Sequence, residues 1–366
     1  GVLLLDAVPF FAGRALDRLL PAGILSDGAD LPPVGRVPRR VFLSAAAIVA
    51  ARNAAVLLGL FWTVLALRRV GVPDRRAVAA TSLTFFGGPL VFYSLVGMTH
   101  APTFALAALL LWLLARYRET GGVWIALAAG IVLGGAVLVR FSAVALLPAA
   151  LLALAGHRRV WLPFGAGFAL PLLGLPFWWQ ASFGRWLSPP YGGDWQLSPA
   201  SPWNVLLSPV HGLFLFHPVL LFAAVGLVLA VRRDRRLSGW GTVGLVWFFG
   251  VAVLHGGWSE WANTGGYGQR FLIDALPALA LGLAAWRAEV PRPGWAWTPA
   301  VLAALFGYVL FFAAVAGLVQ PPASYPWPQR LGEYAVLLGD PPGAGDLRHG
   351  LGRASFLLRA LAGGSR

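Results

Sequence analysis

Long apolar stretches follow one another along almost the whole chain, separated by short connections that are polar or contain arginine. A helix needs about 20 consecutive, mostly apolar residues to cross the hydrocarbon core of a bilayer. The pattern therefore predicts an all-α, polytopic membrane helix bundle with about ten spanning helices and external loops. The predicted spans are residues 41–67, 77–97, 101–117, 122–139, 141–156, 160–180, 211–231, 240–256, 271–287 and 296–319.

The segments on either side of this transmembrane domain, residues 41–319, are less apolar. Residues 1–40 contain an apolar stretch interrupted by Pro9 and then chain rich in Asp, Gly and Pro, which predicts the remainder of a first external loop with a short interfacial helix. Residues 320–366 are polar and rich in Pro and Gly, and are predicted to be an external tail. A further external loop is predicted at residues 181–210, which contain five Pro and three Trp.

The composition agrees with a membrane protein. Hydrophobic residues make up 58% of the chain and charged residues only 11%, with a mean hydropathy of +0.72. Soluble domains carry about 25% charged residues, so one large soluble domain is excluded. The absence of Cys excludes a disulfide framework and a thiolate metal site.

The net charge of +14 comes entirely from Arg, since the chain has no Lys. A basic patch would favour nucleic acid in a soluble protein. Here, however, the Arg pairs lie in short connections between apolar stretches, so we predict a role in topology and no nucleic-acid partner.

The arginines are distributed unevenly between the two sets of connections. One set contains fourteen Arg, whereas the opposite set between helices contains only Arg140, Arg185 and Arg270. By the positive-inside rule, the fourteen-Arg side is predicted to be cytoplasmic. The external side then gathers most of the Trp, Tyr and His residues of the loops, which predicts a site at the outer interface. Three further Arg within residues 36–40 disagree locally with this assignment.

The segment "GGYGQRF", residues 265–271, has the strongest signal for ligand binding. Its glycines allow a tight backbone approach, and Arg270 could clamp a phosphate with its planar guanidinium. Tyr267, Gln269 and the preceding Trp258 are predicted to help bind the substrate. The alternative is an aromatic belt at the headgroup level with one snorkelling arginine.

Three candidate histidines lie at or near predicted external helix ends. His211 and His217 are six residues apart in "SPVHGLFLFHPVLL", so they do not have metal-ligand spacing on one helical face, and a rigid helix entry is favoured over zinc binding or catalysis. We still include His211 among the candidate substrate-binding residues. His100 lies in a short external turn, where it could be an ordinary hydrogen-bonded residue or part of the site.

Arg140 has apolar sequence on both sides, and a charge in such a stretch demands an anion or an acidic partner. No acidic residue is close to it in sequence, which favours a lipid phosphate. The chain also contains no GxxxxGK[ST], no GxGxxG after a strand, no HExxH and no GxSxG. A donor that is itself a membrane lipid therefore fits better than a soluble nucleotide sugar, and no cofactor is assigned.

Three segments together resemble the GT-C glycosyltransferases, the superfamily of protein O-mannosyltransferases and the lipid A aminoarabinose transferase. "SPVHGLFLFHPVLLFAAVGL", "GGYGQRFLIDALPAL" and "YSLVGMTHAPTFAL" are similar to three of its elements, with His217 and Gln269 where Ser and Pro are common. "GVLLLDAVPFFAGRAL" is similar to a segment of the first external loop.

The resemblance implies an inverting transfer of a hexosyl or pentosyl group from a polyprenyl-phosphate sugar to a lipid, glycan or protein acceptor. It also implies a bacterial plasma-membrane location with the active site facing outward, and a divalent metal is possible.

The resemblance also implies where the catalytic carboxylate lies. In this superfamily the catalytic Asp or Glu precedes the segment with which this chain begins, so the general-base carboxylate is expected upstream of Gly1. We therefore expect that the first helix and the general base are missing and that the chain as given is inactive. A second acidic position of many members aligns with residues 98–100, where this chain offers His100 as a catalytic candidate.

Two other functions fit the pattern less well. A transporter or lipid flippase predicts polar or broken segments near the middle of the membrane, and only Arg52 and Asn53 are placed that way. A non-catalytic relative that binds lipid without chemistry is the other alternative.

Overall fold

The computed structural model describes most of the helical part of the chain. The described residues are 42–94, 99–156, 158–187, 201–208, 211–233, 237–258, 268–289 and 297–315, together with 9, 11–12, 29–31, 35–37, 195 and 261. Each of the ten predicted apolar stretches contains helix, so the predicted helical class of the transmembrane domain is confirmed.

The first half of the bundle contains a long helix, a broken one and an antiparallel pair. Its helices are α1 (Phe42–Arg69), α2 (Asp74–Phe86), α3 (Leu90–Ser94), α4 (His100–Thr120), α5 (Val123–Val139) and α6 (Leu147–Ala153), the last preceded by a 3₁₀ helix at Phe141–Leu146. Positive-φ glycines at Gly71 and Gly121 turn the chain between successive helices.

The second half contains two helices that begin with a 3₁₀ turn. Its helices are α7 (Trp161–Ala169), α8 (Leu175–Phe183), α9 (Ser201–Leu207), α10 (Leu213–Phe216), α11 (Val219–Arg233), α12 (Ser238–Gly256), α13 (Leu276–Glu289) and α14 (Thr298–Val315). Short 3₁₀ segments at Arg158–Val160, Leu170–Leu172 and Arg270–Ala275 join or precede them.

Five stretches of the described chain are long and apolar enough to cross a bilayer, which indicates an integral membrane protein. They are Ala47–Arg69, His100–Thr120, Trp161–Ala181, Ser238–Gly256 and Arg270–Ala288. Four shorter apolar helices accompany them, at Val123–Val139, Phe141–Ala153, Val219–Arg232 and Thr298–Leu310. The predicted number of ten spans is therefore not confirmed.

The predicted span 77–97 does not form one continuous helix. Its sequence contains Gly87, Gly88 and Pro89, and the helix stops at Phe86 before resuming at Leu90. Proline lacks the N–H that an uninterrupted helix requires, and its ring clashes with the preceding turn. A Cβ at Gly87 would also collide with Val219, so close packing against α11 reinforces the break.

The helices alternate between two ends of the bundle. At the arginine end, defined by Arg69, Arg118, Glu119 and Trp240, the side chains of Arg69 and Glu119 form an ion pair between α1 and α4. Arg118 donates a hydrogen bond to the Ala153 carbonyl at 2.9 Å, and its guanidinium carbon lies 5.0 Å from the Trp240 ring centroid. The ends of α4 and α6 and the start of α12 therefore meet there.

Glycines allow α5 and α7 to pack closely. A Cβ at Gly130 or Gly134 would collide with the carbonyl oxygens of Phe164 and Phe168, and one at Gly167 would collide with the Leu127 carbonyl. Small residues spaced by four bring helix backbones together in this way inside membranes. The contact fixes α5 and α7 side by side, running in the same direction.

Two predicted external segments contain regular structure that hydropathy does not indicate. Within residues 1–40, predicted to be loop with a short interfacial helix, Pro9, Phe11 and Ala12 are helical, and residues 29–31 and 35–37 form an antiparallel strand pair. The predicted loop 181–210 contains α9, which packs against α12. In both places tertiary context decides a structure that hydropathy does not encode. The predicted tail 320–366 lies outside the described residues.

Candidate functional site

A cavity of about 450 Å³ lies at the end of the bundle opposite the arginine end. We call this end the pocket end and define it by His100, Arg140, His255 and Arg270. The lining residues are Arg52, Thr99, His100, Val139, Arg140, Trp195, His255, Trp258, Arg270 and Phe271. The cavity thus combines three guanidinium groups, two imidazoles and three aromatic rings.

The cavity forms where apolar helices begin or end. His100 starts α4, Arg140 directly follows α5, His255 is in the last turn of α12, and Arg270 starts the 3₁₀ helix before α13. Polar side chains are tolerated at the ends of membrane helices because they can reach the interface. Bringing four such ends together concentrates charge in one place.

Arg270, the residue predicted with most weight, lines this cavity as expected. Its guanidinium carbon lies 5.3 Å from the Phe271 ring centroid and 6.0 Å from that of Tyr93. Cations within about 6 Å of an aromatic ring are attracted to its face. These two rings hold the Arg270 guanidinium at the cavity wall.

Arg140 also lines the cavity, and its acidic partner is a side chain of the protein. Its Nη1 is 3.4 Å from Oδ2 of Asp274, and the two side chains are only 6% and 1% exposed. The sequence favours a lipid phosphate here because no acidic residue is close to Arg140 in the chain, but the structure supplies the other expected kind of partner, an acidic side chain 134 positions away. A buried charge needs a partner that is close in space, and folding can bring that partner from a distant part of the sequence.

Asp274 and Phe271 organise this corner of the site, and sequence reasoning assigned neither. Trp247 donates its indole N–H to the Asp274 backbone carbonyl at 2.9 Å, which ties the 3₁₀ helix to α12. The Phe271 centroid lies 5.4 Å from the Arg140 guanidinium carbon, 5.3 Å from that of Arg270 and 5.0 Å from the His255 ring centroid. One aromatic ring therefore contacts both cations and an imidazole.

His100 is a cavity residue rather than an isolated interface histidine. It is 6% exposed, and its ring stacks on Tyr93 with centroids 5.7 Å apart. His255 is 2% exposed and stacks on Phe271 at an interplanar angle of 11°. Neither ring has a protein hydrogen-bond partner among the described residues. The sequence did not identify His255 as a site residue, because a histidine at the end of a predicted span can equally be an ordinary interface residue.

Arg52 is the third cation of the cavity, and its place in the membrane differs from the expectation. It is 17 residues before Arg69, the last residue of α1. At 1.5 Å per residue this puts Arg52 about 26 Å from the arginine end. A bilayer core is about 30 Å thick, so Arg52 lies near the opposite interface rather than in the middle.

The remaining predicted site residues divide into two groups. Trp258 lines the cavity, and its ring stacks on that of Trp195 with centroids 6.2 Å apart. Gln269 and His211 are buried beside the site but are not on the cavity wall. Tyr267 lies outside the described residues.

The carboxylate expected to act as general base is not found on the cavity wall. The resemblance places this group upstream of Gly1, and Gly1 itself lies outside the described residues. Within the part of the chain that the structure describes, the cavity lining contains no Asp or Glu, and Asp274 is buried behind it against Arg140. The position of the general base relative to Gly1 therefore stays a prediction.

His217 belongs to the framework rather than to the cavity. It is fully buried, lies close to the backbone of Gly87 and lies against Phe92 with ring centroids 5.9 Å apart. It thereby supports the break between α2 and α3. This agrees with the structural interpretation of the "SPVHGLFLFHPVLL" histidines.

The described residues contain no group of three or more His, Cys, Asp or Glu side chains placed to hold a metal ion. Chemically, the cavity can neutralise an anion with guanidinium groups, present aromatic faces to a ring or chain, and hydrogen-bond hydroxyls with imidazoles. Comparisons of the chain with protein-family models, curated proteins and solved structures found no match.

Proposed function

We propose that this protein is a membrane glycosyltransferase that moves a sugar from a polyprenyl-phosphate donor to an acceptor hydroxyl. The observation that carries the proposal is the cavity at the pocket end, where Arg52, Arg140 and Arg270 come together beside the stacked Trp195 and Trp258. Cations in a partly desolvated site stabilise an anion more strongly than cations in water. A lipid phosphate at the membrane interface is the anion that such a site is placed to bind.

Arg270 is proposed to bind the phosphate that leaves. In glycosyl transfer from a lipid phosphate, the bond between the anomeric carbon and the phosphate oxygen breaks, and negative charge develops on that oxygen. A fixed guanidinium stabilises this charge, and two aromatic neighbours hold Arg270 in place before the reaction. Arg140 shares its charge with Asp274, so its contribution to a bound anion is weaker.

The acceptor hydroxyl attacks the anomeric carbon from the opposite side and loses its proton to a base, with inversion at that carbon. General bases of this kind are most often carboxylates or imidazoles. His100 lines the cavity at the position where the resemblance to GT-C enzymes led us to expect a second functional group.

The resemblance supports the same proposal. Two of the segments that carry it, around His100 and Arg270, contribute to one cavity although they are 170 positions apart in the chain. The third contains His217 and packs behind the cavity as framework. We therefore propose a GT-C-like enzyme with about ten spanning segments in this chain.

The proposed orientation places the pocket end outside. The described arginines are concentrated at the helix ends of the opposite side, including Arg68 and Arg69 in the last turn of α1 and Arg75 and Arg76 in the first turn of α2. Cytoplasmic connections carry the excess of positive charge in membrane proteins. A bacterial plasma-membrane enzyme working on its outer face follows from this orientation and from the resemblance.

A reconstitution assay tests the proposal against the transporter alternative. Full-length protein in proteoliposomes is supplied with a radiolabelled polyprenyl-phosphate sugar and a mixture of lipid and glycan acceptors. A glycosyltransferase releases polyprenyl phosphate and labels an acceptor, whereas a flippase moves intact donor to the other leaflet. Donor movement without release of polyprenyl phosphate would exclude the proposed reaction.

A further inference from the structure

The two cavity histidines form a pair of buried polar groups that phosphate binding does not use. His100 and His255 are 6% and 2% exposed, and both line the cavity. No protein group among the described residues hydrogen-bonds either ring. Leaving a buried polar atom without a hydrogen-bond partner is unfavourable, so buried rings of this kind are normally matched to a group that binds them.

Each histidine shares an aromatic neighbour with a cavity arginine. His100 stacks on Tyr93, and Arg270 lies over the same ring. His255 stacks on Phe271, which both Arg270 and Arg140 also contact. A phosphate held by Arg270 would therefore place the group bonded directly to it beside the two imidazoles.

We propose that His100 and His255 form a subsite that recognises hydroxyl groups on the sugar of the lipid-linked donor. A neutral imidazole offers one N–H donor and one nitrogen acceptor, and a sugar hydroxyl can accept from the first or donate to the second. The stacked aromatic neighbours fix the ring planes, so that the nitrogen atoms point in set directions. The subsite rests on the proposed function, because it assumes that the arginines bind the donor phosphate.

The subsite predicts selectivity for the sugar of the donor, which phosphate binding alone does not. The arginines recognise any lipid phosphate, whether or not it carries a sugar. The histidines distinguish a donor that has hydroxyls in the right positions from one that lacks them. A site built to hydrogen-bond a hydroxyl rejects the analogue without it, because its own polar groups then stay unpaired.

The test is a binding measurement on full-length protein in lipid nanodiscs. The probes are polyprenyl phosphate, polyprenyl phosphomannose and the monodeoxy forms of the latter, with no acceptor present. His100→Phe and His255→Phe keep an aromatic ring that can stack on Tyr93 or Phe271 but remove both nitrogen atoms. Thr81→Val is the matched control, since it removes a buried hydroxyl from α2 that is not on the cavity wall.

We expect each His→Phe variant to bind polyprenyl phosphomannose about tenfold more weakly than the wild type, in keeping with the loss of one net hydrogen bond. Polyprenyl phosphate should bind these variants and the wild type alike. At least one monodeoxy donor should bind the wild type about tenfold more weakly than the parent donor does. The same monodeoxy donor and the parent donor should bind one of the His→Phe variants with equal affinity. Thr81→Val should bind all probes as the wild type does.

The outcomes separate this proposal from the proposed function. If the wild type binds both lipids but His→Phe variants lose affinity for neither, or lose the same factor for both, the hydroxyl subsite is wrong while the phosphate site stands. In a separate turnover assay, a raised KM for the acceptor in a His→Phe variant whose donor affinity is unchanged would likewise overturn the subsite, because the histidines would then contact the acceptor. If the wild type binds neither lipid, both proposals fall.

Discussion

At the scale of single residues, the cavity arginines differ in what surrounds them. Arg270 is half-buried between two aromatic rings, whereas Arg140 is almost fully buried and paired with Asp274. Arg185, by contrast, is exposed beyond the end of α8. Removing each charge should therefore affect a different property: turnover at Arg270, stability at the Arg140–Asp274 pair, and neither at Arg185.

Arg270→Ala should lower turnover by about a hundredfold or more, the loss typical of a preorganised electrostatic contact to developing charge. Arg270→Lys should restore only part of the activity, because an ammonium group lacks the planar fork of the guanidinium. The measurement is the rate of polyprenyl phosphate release by full-length protein. Arg185→Ala is the control and should be nearly silent. Equal rates for Arg270→Ala and Arg185→Ala would mean that the segment is an aromatic belt.

Asp274→Ala should destabilise the fold by about 3–5 kcal/mol, because it leaves the buried Arg140 charge without its partner. Replacing both residues, as in Arg140→Met with Asp274→Leu, should recover most of that free energy of unfolding, since the pair is then exchanged for apolar side chains. Unfolding in mixed micelles by a denaturing detergent gives the comparison. A double variant as unstable as Asp274→Ala would show that the ion pair is not the source of the effect.

At the scale of secondary-structure elements, glycine patterns decide how closely helices approach. Gly130 and Gly134 face α7, and the same arrangement joins α11 and α13, where a Cβ at Gly226 or Gly282 would collide with backbone oxygens of the facing helix. Long apolar sequence predicts each helix, but it does not say which helices will be neighbours. Small residues mark the face on which a helix can pack closely, but the partner helix is identified only in the structure.

Gly134→Ala should destabilise the protein by about 1–3 kcal/mol, because the added methyl group collides with the Phe168 carbonyl and pushes α5 from α7. The adjacent Gly135→Ala is a matched control, since a Cβ there meets no atom within 4 Å. It should be neutral or slightly stabilising through the higher helix propensity of alanine. Thermal unfolding of the two variants checks this, and equal midpoints would contradict the close packing of α5 on α7.

At the scale of the whole molecule, the polar cavity lies at one end of the bundle. The cavity and its three arginines lie at the pocket end, while ion pairs such as Arg69–Glu119 and many further arginines occupy the other. The helices run alternately between these ends. This arrangement suits a reaction at one membrane interface, with the opposite end fixing orientation through its charge.

Cysteine labelling tests the orientation on a background without native Cys. Leu187→Cys, at a 77% exposed position beyond α8, should react with an impermeant reagent from outside the cell. Ser238→Cys, at the start of α12 on the arginine end, should react only after the membrane is opened. Reversed labelling would overturn the proposed orientation, and labelling of both from one side would contradict the alternation of the helices.

The helical class and the gathering of polar and aromatic candidates at one end could be predicted from sequence. These features depend on local properties: an apolar stretch favours a membrane helix wherever it lies, and Arg-rich connections favour one side of the bilayer. For the same reason Arg270, Arg140, His100 and Trp258 could be selected as candidates before their surroundings were known. Each stands at or just beyond an end of a predicted span.

Only the tertiary structure decided how these residues act together. The pairing of Arg140 with Asp274, the place of Arg52 and His255 on the same cavity, and the withdrawal of His217 into the framework all depend on contacts between segments far apart in the chain. Hydropathy does not predict such contacts, because an apolar helix face has the same hydropathy whether lipid or another helix covers it. Which faces meet is determined by the fit of side chains and backbones, and that fit exists only once the helices are packed.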